Sequence, residues 1–263
     1  MDVTLSKPSV TIDKVELEKK VKDMYRDVAL NPKGEFHFEM GRALAERLGY
    51  SPEDLDRIPT GSIESFAGVG YYFDLANIEQ GESVVDLGSG AGMDTFVAAL
   101  KVGNNGSVVG IDMTKEQLAK ANQLRDKAVF SQVSYLEGYL EKVPSEDGRF
   151  DVVISNGVIN LAPEKDKVFK EMARVLKPGG RIAISDIVTE IQLSEGITCN
   201  TDLWAACIGG AMQQDKYKSA IEEAGFLIEK FQDNPEYQFI SKSAQGASKE
   251  YGVKSISLLA VKK

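Results

Sequence analysis

A glycine-rich turn after a short apolar run is the feature that most constrains this chain. Residues 83–87 read Ser-Val-Val-Asp-Leu, residues 88–92 read Gly-Ser-Gly-Ala-Gly, and an apolar stretch with helical spacing follows. A β-branched run that ends in glycines predicts a buried strand, a tight turn and then a helix. Glycines in such a turn let a ligand approach backbone N–H groups and the helix N-terminus. The turn therefore predicts a ligand site at the carboxyl edge of a sheet.

Strand-like and helix-like segments alternate through most of the chain. Further strands are expected at residues 107–112, 133–136, 150–155 and 181–186, with helices over 93–102, 114–128, 165–176 and 217–224. Such alternation predicts a parallel sheet covered on both faces. The last two apolar runs, 226–231 and 255–261, have no convincing helix between them. The expected fold is α/β and Rossmann-like, with a doubly wound, mostly parallel seven-stranded sheet, a C-terminal antiparallel hairpin and N-terminal helical additions.

Composition and charge restrict the class of partner. The 263 residues carry a formal net charge of −9, and acidic and basic residues are interspersed. The sequence contains no stripe of lysine and arginine residues that could follow a phosphate backbone. It also shows no apolar segment long enough to span a bilayer and no signal peptide. Two cysteines provide no disulfide framework. We expect a cytoplasmic monomer or homodimer that binds a small molecule, with no nucleic acid, membrane or metal partner.

The spacing of the glycines separates two kinds of nucleotide site. A dinucleotide fingerprint has the spacing G-x-G-x-x-G, whereas Met93 stands here at the expected place of the third glycine. The observed sequence over 86–92, DLGSGAG, resembles instead the first motif of class I methyltransferases. In that family the loop backbone and its preceding acid hold the methionine end of S-adenosylmethionine. The resemblance implies that S-adenosylmethionine is the ligand and that it is bound by Asp86, Gly88, Ser89, Gly90 and Gly92.

Residues after the next strands complete the expected cofactor site. Asp112 ends a predicted strand, where a carboxylate can accept hydrogen bonds from both ribose hydroxyls. A solvated strand-end carboxylate is the alternative interpretation. In the family, the region after the third strand borders the adenine ring, which points here to Leu140 and Glu141, although Tyr139 stands where many relatives have an acid. An ordinary strand-to-helix connection is the alternative for that segment. The resemblance adds three further cofactor contacts, Asp94, Met113 and Asn156.

A narrower resemblance is to the arsenite methyltransferase branch, itself close to the quinone-biosynthesis methyltransferases. The general likeness runs over about 82–225, and the narrower one rests on four segments. These are DLGSGAG with Asp94, GIDMT at 110–114, SNGVINL at 155–161 and LWAACIGGA at 203–211. The branch implies a soft acceptor, of which arsenite is the best guess.

The acceptor side departs from that branch at its thiolates. Arsenite enzymes bind their substrate through cysteines, which suit a soft metalloid. One family cysteine falls at Gly157 and another within residues 66–70, which read Phe-Ala-Gly-Val-Gly. Only Cys207 matches by position, whereas Cys199 lies outside the motif. We therefore predict Cys207 as an acceptor ligand and Asn160 as an acceptor contact; a small buried hydrophobe and a loop cap are the respective alternatives.

The placement of the remaining segments along the chain predicts how it divides. Residues 1–80, with helices over 12–28 and 36–48 and a loop over 60–72, are expected to contribute to a lid over the acceptor. Residues 81–263 are expected to form the methyltransferase domain, in which 187–215 are a lid insertion. Such additions exclude water from the reacting groups.

The expected chemistry is an in-line displacement at the methyl carbon of a sulfonium, which depends mostly on positioning. A soft nucleophile needs little help from a general base, and no catalytic histidine is evident. Three alternatives remain. One is a cofactor-binding regulatory protein without turnover, another is a methyltransferase acting on a quinone-like or other small molecule, and the third is a nicotinamide oxidoreductase, which the position of Gly92 disfavours.

Overall fold

The computed structural model describes residues 12–198, 200–205 and 208–263. The strands are β1 Ser83–Leu87, β2 Ser107–Asp112, β3 Val133–Glu137, β4 Phe150–Asn156, β5 Leu176–Thr189, β6 Met212–Gln213, β7 Phe226–Asp233 and β8 Lys254–Lys262. The helices are α1 Lys14–Leu30, α2 Arg42–Leu48, α3 Pro52–Asp56, α4 Thr60–Glu64, α5 Phe73–Ala76, α6 Met93–Val102, α7 Lys115–Ala128, α8 Lys165–Val175, α9 Glu195–Thr198, α10 Thr201–Ala205, α11 Gln214–Glu223 and α12 Lys242–Tyr251.

The strands form one sheet in the order β3-β2-β1-β4-β5-β8-β7. The strands from β3 to β5 in this order pair in parallel, and β8 lies between β5 and β7, antiparallel to both. The two-residue β6 pairs with β5 outside this path. The predicted Rossmann-like, mostly parallel sheet with antiparallel C-terminal strands is therefore confirmed. The chain order reverses between β1 and β4, so their carboxyl ends form the edge at which ligands of such sheets bind.

Both faces of the sheet are buried, which explains the continuous apolar runs of its strands. On β1, Val84 belongs to a core with α6 and α7, whereas its neighbour Val85 belongs to a core with α8 and α11. Successive side chains of a strand point to opposite faces, so each valine serves one layer. The strands are thereby fixed between two layers of helices, and their carboxyl ends form a firm base for a site.

Three local expectations are corrected. Within 36–48, only Arg42–Leu48 is helical, because the backbone of Gly41 (φ 86) is not helical and the helix begins after it. Residues 36–40, before Gly41, form no helix, and one of their apolar side chains, Phe38, stacks on Tyr25 of α1. The expected loop 60–72 contains α4. Between β7 and β8 lies α12, whose buried face consists of Ala244 and Ala247. Two alanines beside an interior glycine give too weak an apolar stripe to predict a helix.

The first helix meets the segment that follows β5 above the strand ends. Lys20 donates a hydrogen bond to the Thr201 hydroxyl (2.8 Å), and that hydroxyl donates to Glu16 (3.2 Å). Leu17, Trp204 and other apolar side chains of both segments form a third buried cluster. Parts of 1–80 and of 187–215 are therefore neighbours in the fold. Within the described ranges, no helix combines the length and apolar character needed to cross a bilayer.

Candidate cofactor and acceptor site

The turn between β1 and α6 contains three glycines with left-handed backbones, Gly88 (φ 77), Gly90 (φ 52) and Gly92 (φ 92). The N–H groups of Gly88 and Ser89 donate to the carbonyl of Ile111 on β2 (2.8 and 3.0 Å). A side chain at Gly88 would collide with Val158, and one at Gly92 with the Tyr135 hydroxyl. Glycine is thus required here both by the backbone angles and by the close packing around the turn.

Asp112 joins this turn to the end of β2. Its carboxylate accepts hydrogen bonds from the N–H groups of Gly90 (2.9 Å) and Thr114 (2.8 Å). Burial raises the pKa of Asp112, and these two N–H groups act in the opposite direction because they stabilise the charged form. The carboxylate therefore holds two strand ends in fixed relation beside a cavity.

Two cavities adjoin along this edge of the sheet. The larger has a volume of about 480 Å³, a size typical of small-molecule sites. Among the predicted cofactor residues it is lined by Gly88, Gly90, Asp112, Met113, Leu140 and Glu141. The smaller, of about 60 Å³, is lined by Asp86, Gly88, Ser89, Gly90, Asp94 and Asn156. Because both share Gly88, Gly90, Val158 and Tyr25, they form one elongated site, and Gly92 supports its wall from behind.

Asp94 and Asn156 use their polar atoms within the protein. The Asp94 carboxylate accepts from Tyr50 (2.6 Å), Tyr72 (2.7 Å) and the Asn156 amide (3.0 Å). The Asn156 side chain also accepts from the N–H of Val69 (2.8 Å). These contacts hold the segment before β1 against the glycine turn. Sequence reasoning did not predict that the two tyrosines bind Asp94: the segment 48–51 with Tyr50 resembles the arsenite branch, but nothing in the sequence indicates its partner.

Asp86 lies fully enclosed at the end of β1. Its carboxylate accepts a hydrogen bond from the Thr95 hydroxyl (2.6 Å). Burial, and next the nearby charge of Asp94, raise the pKa of Asp86 well above its ordinary value. The raised pKa favours the protonated form of Asp86, so the negative charge below the smaller cavity lies mainly on Asp94, whose carboxylate is stabilised by three hydrogen bonds.

Helix α1 covers the larger cavity and is joined to its opposite wall through Tyr139. The Tyr139 hydroxyl donates to Glu18 (2.8 Å) and accepts from Lys22 (2.9 Å), whose ammonium also lies 5.0 Å from the ring centre. Leu17, Glu18 and Val21 of α1 line the cavity. Tyr139, the residue that departs from the family pattern, therefore connects the cover of the site to its base.

The site residues fit S-adenosylmethionine. In the described part of the chain, Ser89 Oγ and Gln117 Oε1 are buried without a hydrogen-bond partner, and both residues line the smaller cavity. Buried polar atoms of this kind call for a ligand or a water. An amino acid end would satisfy both, because its ammonium donates to Gln117 and its carboxylate accepts from Ser89. The larger cavity offers a carboxylate at Asp112 for a ribose and the apolar Met113 and Leu140 for a base.

The acceptor segment follows β4 beside the same cavities. Gly157 is left-handed (φ 71), and a Cβ there would lie 3.1 Å from Val69. The two places where the arsenite branch has cysteines are thus adjacent in space, and neither holds a thiol. Cys199 and Cys207 lie outside the described residues. Within the described ranges, no cluster of three or more histidine, cysteine and acidic side chains could hold a metal.

Asn160 and Lys165 form a buried polar cluster behind this segment. The N–H of Asn160 donates to Asp186 (3.2 Å), and its carbonyl accepts from Lys165 (3.1 Å). Burial lowers the pKa of Lys165 to about 8 and raises that of Asp186 to about 6. Sequence reasoning missed Lys165, because a lysine at the start of an amphipathic helix is ordinarily solvated.

Comparison with known proteins agrees with this geometry. Residues 78–225 match a family model described as a methyltransferase domain. The crystal structure of an arsenic(III) S-adenosylmethionine methyltransferase from Chlamydomonas reinhardtii is 30% identical, with a TM-score of 0.65, and the match covers 86% of this chain and 75% of that one. This chain belongs to the S-adenosylmethionine-dependent methyltransferase family, in its arsenite methyltransferase branch. Its cofactor is S-adenosylmethionine.

Curated relatives extend the comparison. An arsenite methyltransferase of Halobacterium salinarum is 42% identical over 182 residues, which is 69% of this chain and 46% of that protein. The arsenite methyltransferase of Homo sapiens is 40% identical over 152 residues, 54% of this chain and 40% of that protein. The methyltransferase described here thus spans less than half the length of these relatives.

We expect Gly92→Ala to weaken cofactor binding, because its Cβ would displace Tyr135 and the turn. Binding of S-adenosylhomocysteine, measured by calorimetry, should weaken roughly tenfold or more. Gly81→Ala is the matched control: Gly81 has φ 88 and no atom within 4 Å of an added Cβ. Both variants incur about 1–3 kcal/mol of left-handed strain, but only Gly92→Ala should lose affinity. Equal affinities would contradict the role given to the turn.

We expect Tyr139→Phe to accelerate release of S-adenosylhomocysteine. The variant keeps the ring under Lys22 but loses the hydroxyl that bonds Glu18 and Lys22. Two partly exposed hydrogen bonds to charged groups correspond to roughly a 3- to 10-fold faster dissociation in stopped flow. Asp23→Asn, an exposed change on the same helix, should leave the rate unchanged. A rate for Tyr139→Phe equal to the parent's would refute the contribution of the hydroxyl.

The pKa of Lys165 predicts a pH dependence of stability. Its value in the fold is about 8, against an ordinary 10.5, so the unfolded chain binds more protons between these limits. The contribution of Lys165 to stability is therefore present above pH 10.5 and is lost as pH falls through 8. Urea unfolding of the parent and of Lys165→Met should show a difference in unfolding free energy that changes by roughly 2 kcal/mol between pH 10 and pH 7. A constant difference would disprove the depressed pKa.

Proposed function

We propose that this protein transfers a methyl group from S-adenosylmethionine to a small soft acceptor, with arsenite as the preferred substrate. One observation carries the proposal: the donor and acceptor segments line the same cavity. Gly88 and Asp112 of the donor segments and Val158 and Leu161 of the acceptor segment all line it. The similarity to the arsenite methyltransferase of Halobacterium salinarum supports the choice of acceptor.

The cofactor contacts follow from the chemistry of the two cavities. Asp112 accepts from the ribose hydroxyls, and Met113 and Leu140 enclose the adenine, with Glu141 at its edge. In the smaller cavity, Ser89 and Gln117 bind the amino acid end, and Asp86 lies beside it in the lining. Gly88 and Gly90 allow the backbone to approach. Asp94 and Asn156 position these groups through Tyr50 and Tyr72.

The reaction needs positioning more than proton transfer. When bound, S-adenosylmethionine supplies a methyl group already activated on a sulfonium, and the acceptor's lone pair forms the new bond as the carbon–sulfur bond breaks. The glycine turn fixes the donor, and Val158 in the cavity lining directs the acceptor in line with it, while the buried Asn160 supports the same loop from behind the lining. Enclosure by α1 excludes water, which raises the reactivity of a desolvated nucleophile.

The acceptor is held by fewer protein thiolates than in an arsenite enzyme with several cysteines. Gly157 and the 66–70 segment contribute none, and the whole sequence contains two cysteines. Cys207 is the proposed ligand because it matches the family position. The remaining ligands of a three-coordinate arsenic(III) then come from solvent or from a small thiol.

We also infer that residues 1–80 and 187–215 form a lid over the acceptor, with 81–263 as the methyltransferase domain. The hydrogen bonds from Lys20 to Thr201 and from Thr201 to Glu16 support a joint cover. A cytoplasmic monomer or homodimer without a nucleic acid partner completes the proposal. The interspersed charges and the two cysteines without a disulfide framework support it.

Transfer of labelled methyl tests the acceptor. The panel contains arsenite with and without a small thiol, the thiol alone, and quinone precursors. We expect the highest rate with arsenite, and Cys207→Ser should lower it by roughly tenfold or more. Cys199→Ser serves as the matched control and should keep the parent rate.

Two results would contradict the proposal. Faster methylation of a quinone precursor would favour the quinone-like acceptor. Binding of S-adenosylhomocysteine without transfer to any member of the panel would favour a regulatory protein.

A further inference from the structure

The buried ammonium of Lys165 touches two segments that come from distant parts of the chain. Lys165 is 5% exposed, at the first turn of α8. Its Nζ donates to the carbonyls of Asn160 (3.1 Å) and Ala162 (2.8 Å). It also lies 4.8 Å from the ring centre of Trp204, on α10. An ammonium has three N–H donors, and here two carbonyls and one aromatic face surround them.

Both polar groups of the Asn160 backbone, its N–H and its carbonyl, are hydrogen-bonded to charged side chains. Asp186 on β5 accepts from its N–H, and Lys165 donates to its carbonyl. The Asp186 carboxylate also accepts from the Tyr217 hydroxyl (2.9 Å), which fixes it in turn. Since Asn160 is fully buried, these two side chains rather than water satisfy its backbone N–H and carbonyl.

The residues around Trp204, those of α10 and 208–210, called here the Trp204 segment, pack closely against the carbonyl of Asn160. A Cβ at Gly210 would collide with the carbonyl oxygen of Asn160, and one at Gly209 would collide with the Trp204 ring. The indole N–H donates to the carbonyl of Thr198 (2.6 Å), so the ring is held at its edge as well as on its face. Lys165 thus lies where the acceptor loop and the segment after β5 meet.

We propose that Lys165 is a positioning residue that holds the acceptor loop, residues 158–162, and the Trp204 segment together over the methyl donor. It acts through the backbone of Asn160 and the ring of Trp204 and does not touch the reacting atoms. The inference rests on the proposed function for its effect on the acceptor. Its effect on the Trp204 segment stands independently of that function.

A neutral side chain of similar length would lose this connection. Lys165→Met leaves the two carbonyls buried without their donor and removes the attraction to the indole face. Lys165→Arg keeps a charge, donors and the stacking contact, and it should restore the connection in part. Lys170→Met, an exposed change on the same helix, is the matched control.

Trp204 provides a direct readout, because it is the one tryptophan of the sequence. We expect Lys165→Met to increase quenching of its fluorescence by acrylamide about twofold or more, since the ring loses its cover. With arsenite as acceptor, KM should rise roughly tenfold, while kcat falls less and binding of S-adenosylhomocysteine stays within about twofold. Lys165→Arg should recover most of the KM, and Lys170→Met should match the parent.

The outcomes separate this inference from the proposed function. If the parent methylates no acceptor, the proposed function fails and quenching alone decides the role of Lys165. Unchanged quenching in folded Lys165→Met, or equal losses of acceptor and S-adenosylhomocysteine binding, would overturn the inference. If Lys165→Met does not fold, Trp204→Leu tests the same contact: a raised acceptor KM with intact S-adenosylhomocysteine binding supports the proposal, and an unchanged KM overturns it.

Discussion

The geometry of the site depends on one constraint, the left-handed turn of glycines between β1 and α6. Three positive φ angles within five residues bring the backbone of the turn against β2, where Ile111 and Asp112 accept its N–H groups. A side chain at Gly88 would displace Val158, which follows β4, and one at Gly92 would displace Tyr135 of β3. The turn therefore shapes the cofactor cavity and also sets how closely the acceptor segment approaches it.

The acceptor side of the site differs from the arsenite branch in its cysteines. A Cβ added at Gly157 would lie 3.1 Å from Val69, so the two segments in which the arsenite branch has cysteines approach each other closely. Gly157 also has a left-handed backbone, which a cysteine would adopt only with strain. In this chain the two segments contain glycines and apolar side chains and no cysteine.

Buried charge performs a second organising role in this methyltransferase. Asp94 joins Tyr50 and Tyr72 to the glycine turn, and Lys165 joins the acceptor loop to Trp204. Each charged group is costly to bury unless its hydrogen bonds are satisfied. Such groups favour one arrangement of the segments that contact them. Both clusters join residues from separate parts of the chain, at the places where the cover meets the sheet.

The sequence by itself determined the parallel sheet, the position of the glycine turn and the family, because these depend on local periodicity and on adjacent residues. It also predicted that Asp112 and Leu140 lie at one edge of the sheet, where they line the same cavity, since carboxyl ends of parallel strands meet there. It could not predict α12, whose apolar stripe is two alanines, nor the partners of Asp94 and Lys165. Only the tertiary structure decided those. Contacts between Tyr50 and Asp94, or between Lys165 and Trp204, join residues some 40 positions apart, and no local pattern encodes them.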